Sequence, residues 1–263
     1  MTLLVGIAGI GLLGPGLAGW AQAAPVLAGQ APYAPAPLTP PAPTLLPPTE
    51  RRRTGPSVRL ALAVAAEAVQ DSGAPPEELD TVFASSNGEG QVITSILEAL
   101  HTPDGAISPT QFHNSVHNAA AGYWGIAVGS SRPSVSLGGY DGVFATGLLH
   151  AAAQVVAGGE KVLFVAHDVP LPPPLGALRP TSESFALALV LAPGGARRGA
   201  LRIEPCELPA PAAPTLPPGL GTLHDGNPVA RALPLLSALA AGRHGGMLLP
   251  MLDDASLSVT VLG

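Results

Sequence analysis

Two runs of the chain, KVLFVAHD (161–168) and FALALVLAP (185–193), are apolar at consecutive positions rather than at every second one. A strand with one wet face alternates, so a strand apolar on both sides must be covered on both sides. The N-terminal LLVGIAG (3–9) has the same character. Between these runs lie segments of helical period. SVRLALAVAAEAVQDSG (57–73) has Ser57 near its start and Gly73 as its stop. QVITSILEALHT (91–102), Phe112 to Val128 after Pro109, and Gly142 to Val156 also read as helices. With LDTVFASS (79–86) and SVSL (134–137) as strands, the order becomes β-α-α-β-α-α-β-α-β-β. That order predicts an α/β layered fold, a mostly parallel mixed sheet flanked by helices. Leu17 to Ala24 is expected as a short helix, and residues 25–49 as a proline-rich loop. Past Pro193 the signals thin. LRIEPCEL reads as an edge strand, PAPAAPTLPPGLG as a linker, PLLSALAAG as a short helix and LSVTVLG as a last strand.

At 263 residues the chain can bury a full core. Charged residues make up only 11%, and one lysine stands against eleven arginines. That bias suits a GC-rich coding sequence, so the 31 prolines are weak evidence of disorder. A net charge of −6 argues against nucleic acid as a partner. The single cysteine, Cys206, excludes an internal disulfide framework and a multi-cysteine metal site, and both facts are compatible with the cytoplasm. The N-terminus has the apolar run and small-residue site of a signal peptide. It lacks a Lys or Arg before the run and is interrupted by glycines, so a buried first strand is the competing and preferred reading. No stretch reaches the roughly 18 uninterrupted apolar residues of a membrane helix, so stable membrane insertion is not expected.

Several constellations could carry chemistry. His113 and His117 lie four apart on the expected helix and share one face. No third ligand accompanies them, and a hydrogen-bonded helix face is preferred to a metal site. Ser85 or Ser86, His113 and Asp141 would compose a hydrolase triad, but the G-x-S-x-G corner is absent. SNGEG (86–90) sits between a strand and a helix, where backbone amides could cradle an anion; a plain turn is the stronger reading. Arg51, Arg52 and Arg53 form the one basic cluster, either an acidic partner's contact or a solvated run. In SVSLGGYDGVFATGLLHAA (134–152) an apolar strand meets a glycine-rich corner and then a helix. Asp141 stands at the corner, and a helix N-cap role is enough to account for it.

The segment SPTQFHNSVHNAAAGYWGIAVGSSRPSVSLGGYDG (108–142) resembles the β-ketoacyl-acyl carrier protein synthases of the thiolase superfamily. The family's Ser-Pro entry, its Asn-x-x-Ala-Gly helix core and its Gly-x-x-x-Pro-Ser turn match Ser108-Pro109, Asn118, Ala121-Gly122, Gly129 and Pro133-Ser134. Its nucleophile corner matches Tyr140-Asp141-Gly142. ERRRTGPSVRLALAVAAEAV, LDTVFASSNGEG and KVLFVAHD are similar to its Arg-rich helix entry, second strand and post-nucleophile strand. The resemblance covers residues 1–195 and implies the N-terminal half of the thiolase-like layered fold. Residues 196–263 would then be a linker plus a short helix and strand completing the domain.

Two departures shape what the resemblance implies. The family's nucleophilic Cys falls at Asp141, and a carboxylate cannot form the acyl-thioester intermediate. The family's second half, source of two catalytic histidines, has no counterpart in the seventy residues after Pro193, where His224 and His244 lack its motifs. The chain is therefore similar to the chain-length-factor partners of type II polyketide and aryl polyene systems: a vacated synthase without cofactor or metal. By that resemblance it would form a heterodimer with an active β-ketoacyl synthase and would also meet acyl carrier protein. Ser134, Val135, Ser136 and Leu137 would pair across a two-fold axis. Gln111, Phe112, Ser115 and Val116 would floor an acyl tunnel, with His113, His117, Tyr123 and Trp124 nearby, while core packing is the alternative for Phe112 and Trp124. Arg51 to Arg53 would be a weak carrier-docking site. The alternatives are an active 3-oxoacyl synthase-type acyltransferase or malonyl decarboxylase, and a small Ser-dependent hydrolase.

Overall fold

The structure is a computed structural model that describes every residue except Asp104, Ala212 and Ala213. The chain opens with β1 (Leu3–Gly14), the short β2 (Leu17–Ala18) and α1 (Trp20–Leu27). After a proline-rich stretch come α2 (Pro48–Arg51), α3 (Pro56–Ser72), β3 (Asp80–Ala84) and α4 (Gly90–His101). α5 (Pro109–Asn114), α6 (Ala119–Val128), β4 (Ser134–Leu137), α7 (Val143–Gly158), β5 (Val162–Asp168), α8 (Leu175–Leu178) and β6 (Phe185–Pro193) follow. The last part holds β7 (Ala200–Cys206), α9 (Leu220–Gly226), α10 (Leu233–Ala240), β8 (Gly245–Pro250) and β9 (Ser256–Leu262).

One sheet runs through the molecule in the order β4-β3-β5-β6-β1-β7-β9-β8, with β2 beside β1. Alternate residues of its strands enter two separate cores. On β6, Phe185, Leu187, Leu189 and Leu191 face the core holding α7, α1 and α10. Ala186, Ala188, Val190 and Ala192 face the core holding α3 and α6. Large side chains on one face and small ones on the other let α3 approach the sheet closely. β1 carries this furthest. A Cβ on Gly9 would stand 2.1 Å from the Ala68 carbonyl oxygen, and one on Gly11 2.1 Å from that of Val64. Backbone therefore packs on backbone, which only glycine permits. β1 is bulged between Ile7 and Gly9. Acids on α3 take up its amides: Asp71 accepts from Ile10 N–H at 3.0 Å, and Glu67 from Leu12 N–H at 2.9 Å. Burial pushes the Glu67 carboxyl up. Burial acts the same way on Asp71, but Arg198 and the Ile10 N–H outweigh it and hold that carboxyl down.

The mixed sheet flanked by helices matches expectation, but its balance is the reverse of mostly parallel. Among the described residues only β3–β4 and β3–β5 pair in parallel, while the other six pairings are antiparallel. Two-sided burial produces continuous apolar strands whichever way they run, so the pattern carries no direction. The expected helix from Phe112 to Val128 is two helices, α5 and α6, separated by a turn at residues 115–118. LRIEPCEL is not an edge: β7 lies between β1 and β9, and β8 forms the edge instead. Leu17–Ala18 is a strand, and the first helix begins only at Trp20. Leu3–Gly14, the stretch with signal-like features, is an interior strand between β6 and β7. The linker at 209–221 includes Ala212 and Ala213, which lie outside the described residues. No helix among the described residues is long and apolar enough to cross a membrane.

Candidate functional site

β4 ends at Leu137, and the chain turns through Gly138 and Gly139 into a short 3-10 turn, Tyr140–Gly142, before α7. Tyr140 has φ +48°, the one non-glycine residue in the left-handed region among those described. Holding a side-chain-bearing residue there costs roughly 1–2 kcal/mol, and such strain clusters at functional corners. A Cβ on Gly142 would lie 2.1 Å from the Met251 carbonyl oxygen, so the loop after β8 rests directly on the corner. Asp141 is not the helix cap expected of it, since the start of α7 has no side-chain cap. Its carboxylate points away, accepting from Arg179 at 2.8 Å and Arg231 at 3.2 Å. Arg179 also donates to Ser86 Oγ at 2.6 Å and Asn87 Oδ1 at 3.2 Å, and its guanidinium lies 4.5 Å from the centre of the Tyr140 ring. Asp141 is half exposed, so each ion pair contributes at most about 1 kcal/mol. The latch matters for what it occupies: the tip of the corner is engaged by two arginines.

Beneath the latch lies the loop between β3 and α4. Asp168, fully buried at the end of β5, accepts from Ser85 Oγ at 2.8 Å, Ser86 N–H at 3.0 Å and Asn87 N–H at 2.9 Å. The anion cradle offered by SNGEG is therefore filled by the protein's own carboxylate. Burial pushes the Asp168 carboxyl up to about 6, against the pull of those donors and of Arg179. At the loop's other end Glu89 is also buried; it accepts from Val58 N–H at 2.9 Å and so caps the start of α3. Burial pushes this carboxyl up to about 7, with the Val58 amide and Arg59 opposing. Its Oε2 has no partner among the described residues. His167 is buried against Ser57 Oγ at 2.9 Å, and desolvation, with His117 adding to it, lowers it to about 3.

The predicted site residues fall into three groups. Ser134, Val135, Ser136 and Leu137 form the outermost strand, paired only with β3 among the described residues, so one edge is open. Phe112 (65% exposed) and Val116 present apolar surface at α5 and the turn after it, with Gln111 and Ser115 beside them. The break in the helix separates His113 from His117. His113 meets Tyr123 edge-on, while His117 Nε2 donates to the Leu137 carbonyl at 3.0 Å. Among the described residues no three His, Cys, Asp or Glu side chains converge as metal ligands. Tyr123 is core, its hydroxyl donating to Asn114 Oδ1 at 2.9 Å while Asn114 holds the Arg53 carbonyl at 2.7 Å. Trp124 is buried too, and also walls an open groove of about 700 Å³ beside β4.

Two sequence readings are narrowed. Arg51 is committed to the Thr44 and Leu46 carbonyls and Arg53 to Glu50, which among the described residues leaves Arg52 as the uncommitted member of the basic cluster. The hydrolase triad is not assembled: Ser85 serves Asp168, Ser86 and Asp141 share Arg179, and His113 belongs to a different cluster. Sequence reasoning missed Arg179 and Arg231, which have no local signal. Asp168 and Glu89 were visible only as charges closing an apolar strand and a glycine-rich loop.

The chain matches the family described as "Beta-ketoacyl synthase, N-terminal domain" over residues 20–215. No curated protein sequence is similar enough to match. Among solved structures, it is similar to a chain of a ketosynthase in complex with its chain length factor from Xenorhabdus doucetiae. The TM-score there is 0.75 at 23% identity, covering 98% of this chain and 99% of that one. It is also similar to a chain of the ishigamide ketosynthase/chain length factor, with TM-score 0.72, 15% identity and coverage of 98% and 99%. A third is a type II polyketide synthase acyl-carrier protein in complex with its ketosynthase (TM-score 0.74, 12% identity, 99% of each chain). At these identities the likeness speaks for the fold, and the match over three quarters of the sequence speaks for descent. This chain belongs to the β-ketoacyl synthase N-terminal domain family, with an aspartate at the corner where that family's resemblance places the nucleophile.

Proposed function

We propose that this chain is a non-catalytic, β-ketoacyl-synthase-like subunit, a chain length factor. It pairs with an active ketosynthase in the cytoplasm and shapes the tunnel in which an acyl chain grows on acyl carrier protein. One observation carries the reading: at the strand-to-helix corner Asp141 is forked by Arg179 and Arg231, and no thiol is present. The one cysteine, Cys206, is on β7, five places along the sheet from β4. Thioester exchange needs a thiolate in reach of the carbonyl, whereas a carboxylate tied to two cations is a poor nucleophile.

The rest of the geometry supports a partner's role. An open strand edge at Ser134–Leu137 offers unpaired backbone groups for augmentation by a second chain. Exposed Phe112 and Val116 stand where the resemblance puts a tunnel floor. Apolar bulk there would stop a growing chain by steric exclusion, and leaving polyketide oxygens against it would add a desolvation cost. The similar solved structures, a ketosynthase in complex with its chain length factor and the ishigamide ketosynthase/chain length factor, point the same way.

The test is co-expression with an active ketosynthase from the same gene cluster. A stable heterodimer is expected, and the isolated chain is expected neither to become acylated nor to condense malonyl units. Acylation or condensation by the chain alone overturns the reading.

A further inference from the structure

Two arginines from distant parts of the chain converge on one carboxylate at the corner. Arg179, at the end of α8, meets Asp141 Oδ1 at 2.8 Å, and Arg231, in the turn before α10, meets Oδ2 at 3.2 Å. Neither oxygen caps α7, so helix capping does not account for the side chain. Arg179 is held independently of Asp141, because Ser86 Oγ, Asn87 Oδ1 and the Tyr140 ring fix its guanidinium. The other carboxylate that Arg179 acts on, Asp168, spends its oxygens on Ser85 and two backbone amides. Arg231 has no other partner among the described residues. An open cleft of about 880 Å³ lies in front, lined by Tyr140, Asp141, Thr146, Arg231 and the loop at 251–254. Paired guanidiniums opening on a cleft suit a small carboxylate, and here the carboxylate is the chain's own.

We infer that Asp141 is a ligand carried by the chain itself. It fills a two-arginine carboxylate site in the cleft at the vacated corner and keeps that site closed to the free carboxylate of a malonyl-type thioester. What this does for chain growth rests on the partner-subunit reading above: the inactive subunit does not capture the extender unit, which stays available to the active one. Charge supports the exclusion. With Asp141 in place the cleft is lined by three carboxylates, Asp141, Asp253 and Asp254, against the single guanidinium of Arg231. An incoming anion must also displace a tethered carboxylate, whose effective concentration exceeds that of a dilute free one. Without the Asp141 side chain, both guanidiniums would face an empty fork open to solvent. Lack of a thiol prevents thioester formation at this corner; the plug also denies it the substrate of a decarboxylation.

The experiment is chemical rescue of the full chain, read as melting temperature. Asp141→Ala removes the carboxylate and leaves the fork; only half-exposed ion pairs are lost, so the variant should melt slightly below wild type. Acetate at about 200 mM, against chloride at equal ionic strength, should raise the melting temperature of Asp141→Ala by about 2 °C, as a site of roughly 50 mM affinity does by mass action. Wild type should not respond, and adding Arg231→Gln to Asp141→Ala should abolish the response. Malonyl-N-acetylcysteamine should bind Asp141→Ala at least about tenfold more tightly than wild type by NMR titration. Asp141→Ser leaves similar room and repeats the test if the alanine variant does not fold. An equal acetate response in wild type and variant, no response in either, a response that survives Arg231→Gln, or equal binding of the thioester overturns the inference. The melting readout needs no partner. Rescue in a chain that fails to pair with a ketosynthase keeps the plug and refutes the partner-subunit reading, with its consequence for chain growth.

Discussion

Glu89 offers a direct test of how the loop under the corner is held. Its carboxyl is buried, caps the start of α3 through one oxygen and, among the described residues, leaves the other without a partner. Burial raises it from an ordinary 4.5 to about 7. A raised carboxyl favours the folded state most where it is protonated in both states, below about pH 4.5. That advantage is lost as pH rises through about 7, where the folded protein must bear a buried charge. The gap between the two values, at 1.36 kcal/mol per tenfold, corresponds to a cost of about 3 kcal/mol at pH 8. Glu89→Gln keeps the acceptor facing Val58 N–H and removes the charge. It should therefore stabilise the protein at pH 8 by up to about 3 kcal/mol, roughly 6 °C in melting temperature for a chain of this size. At pH 5, where the folded wild type is mostly protonated, the gain should shrink below about 1 kcal/mol. Urea unfolding at the two pH values measures both. A Gln variant no more stable than wild type at pH 8, or a gain that does not shrink at pH 5, refutes the reasoning. The helix N-terminus would then be stabilising the ionised carboxylate fully.

Asp168→Asn should behave in the opposite way, destabilising by about 1–3 kcal/mol at neutral pH in the same unfolding assay. An amide NH₂ would there oppose a backbone N–H that the carboxylate now accepts. Asp141→Asn should cost less than about 1 kcal/mol, because its ion pairs are half exposed, and should leave product formation by the heterodimer largely intact. Complete loss of product with folding and assembly intact would make Asp141 catalytic. Gly11→Ala should lower stability by about 1–3 kcal/mol or prevent folding, seen as a lower melting temperature, because the new methyl meets the Val64 carbonyl in a helix that cannot retreat.

Periodicity and burial pattern are local properties, and the sequence determined what depends on them. The layered α/β class, the amphipathic α3 with its Gly73 stop and the buried strands β5 and β6 were all legible. So was the strand-to-helix corner that carries Asp141, because an ordered set of motifs from Ser108 to Gly142 brackets it. Strand direction was not legible, since a strand covered on both faces looks the same running either way. Nor was the break between α5 and α6, where tertiary contacts of Asn114 and His117 outweigh helical period. The edge strand β8, written GGMLLP, was hidden by its glycines and proline; it is a strand because β9 supplies its hydrogen bonds. The latch was invisible for a simpler reason: Arg179 and Arg231 lie 38 and 90 residues from Asp141. Only the packing of α8 and the terminal segment over the corner brings those charges together.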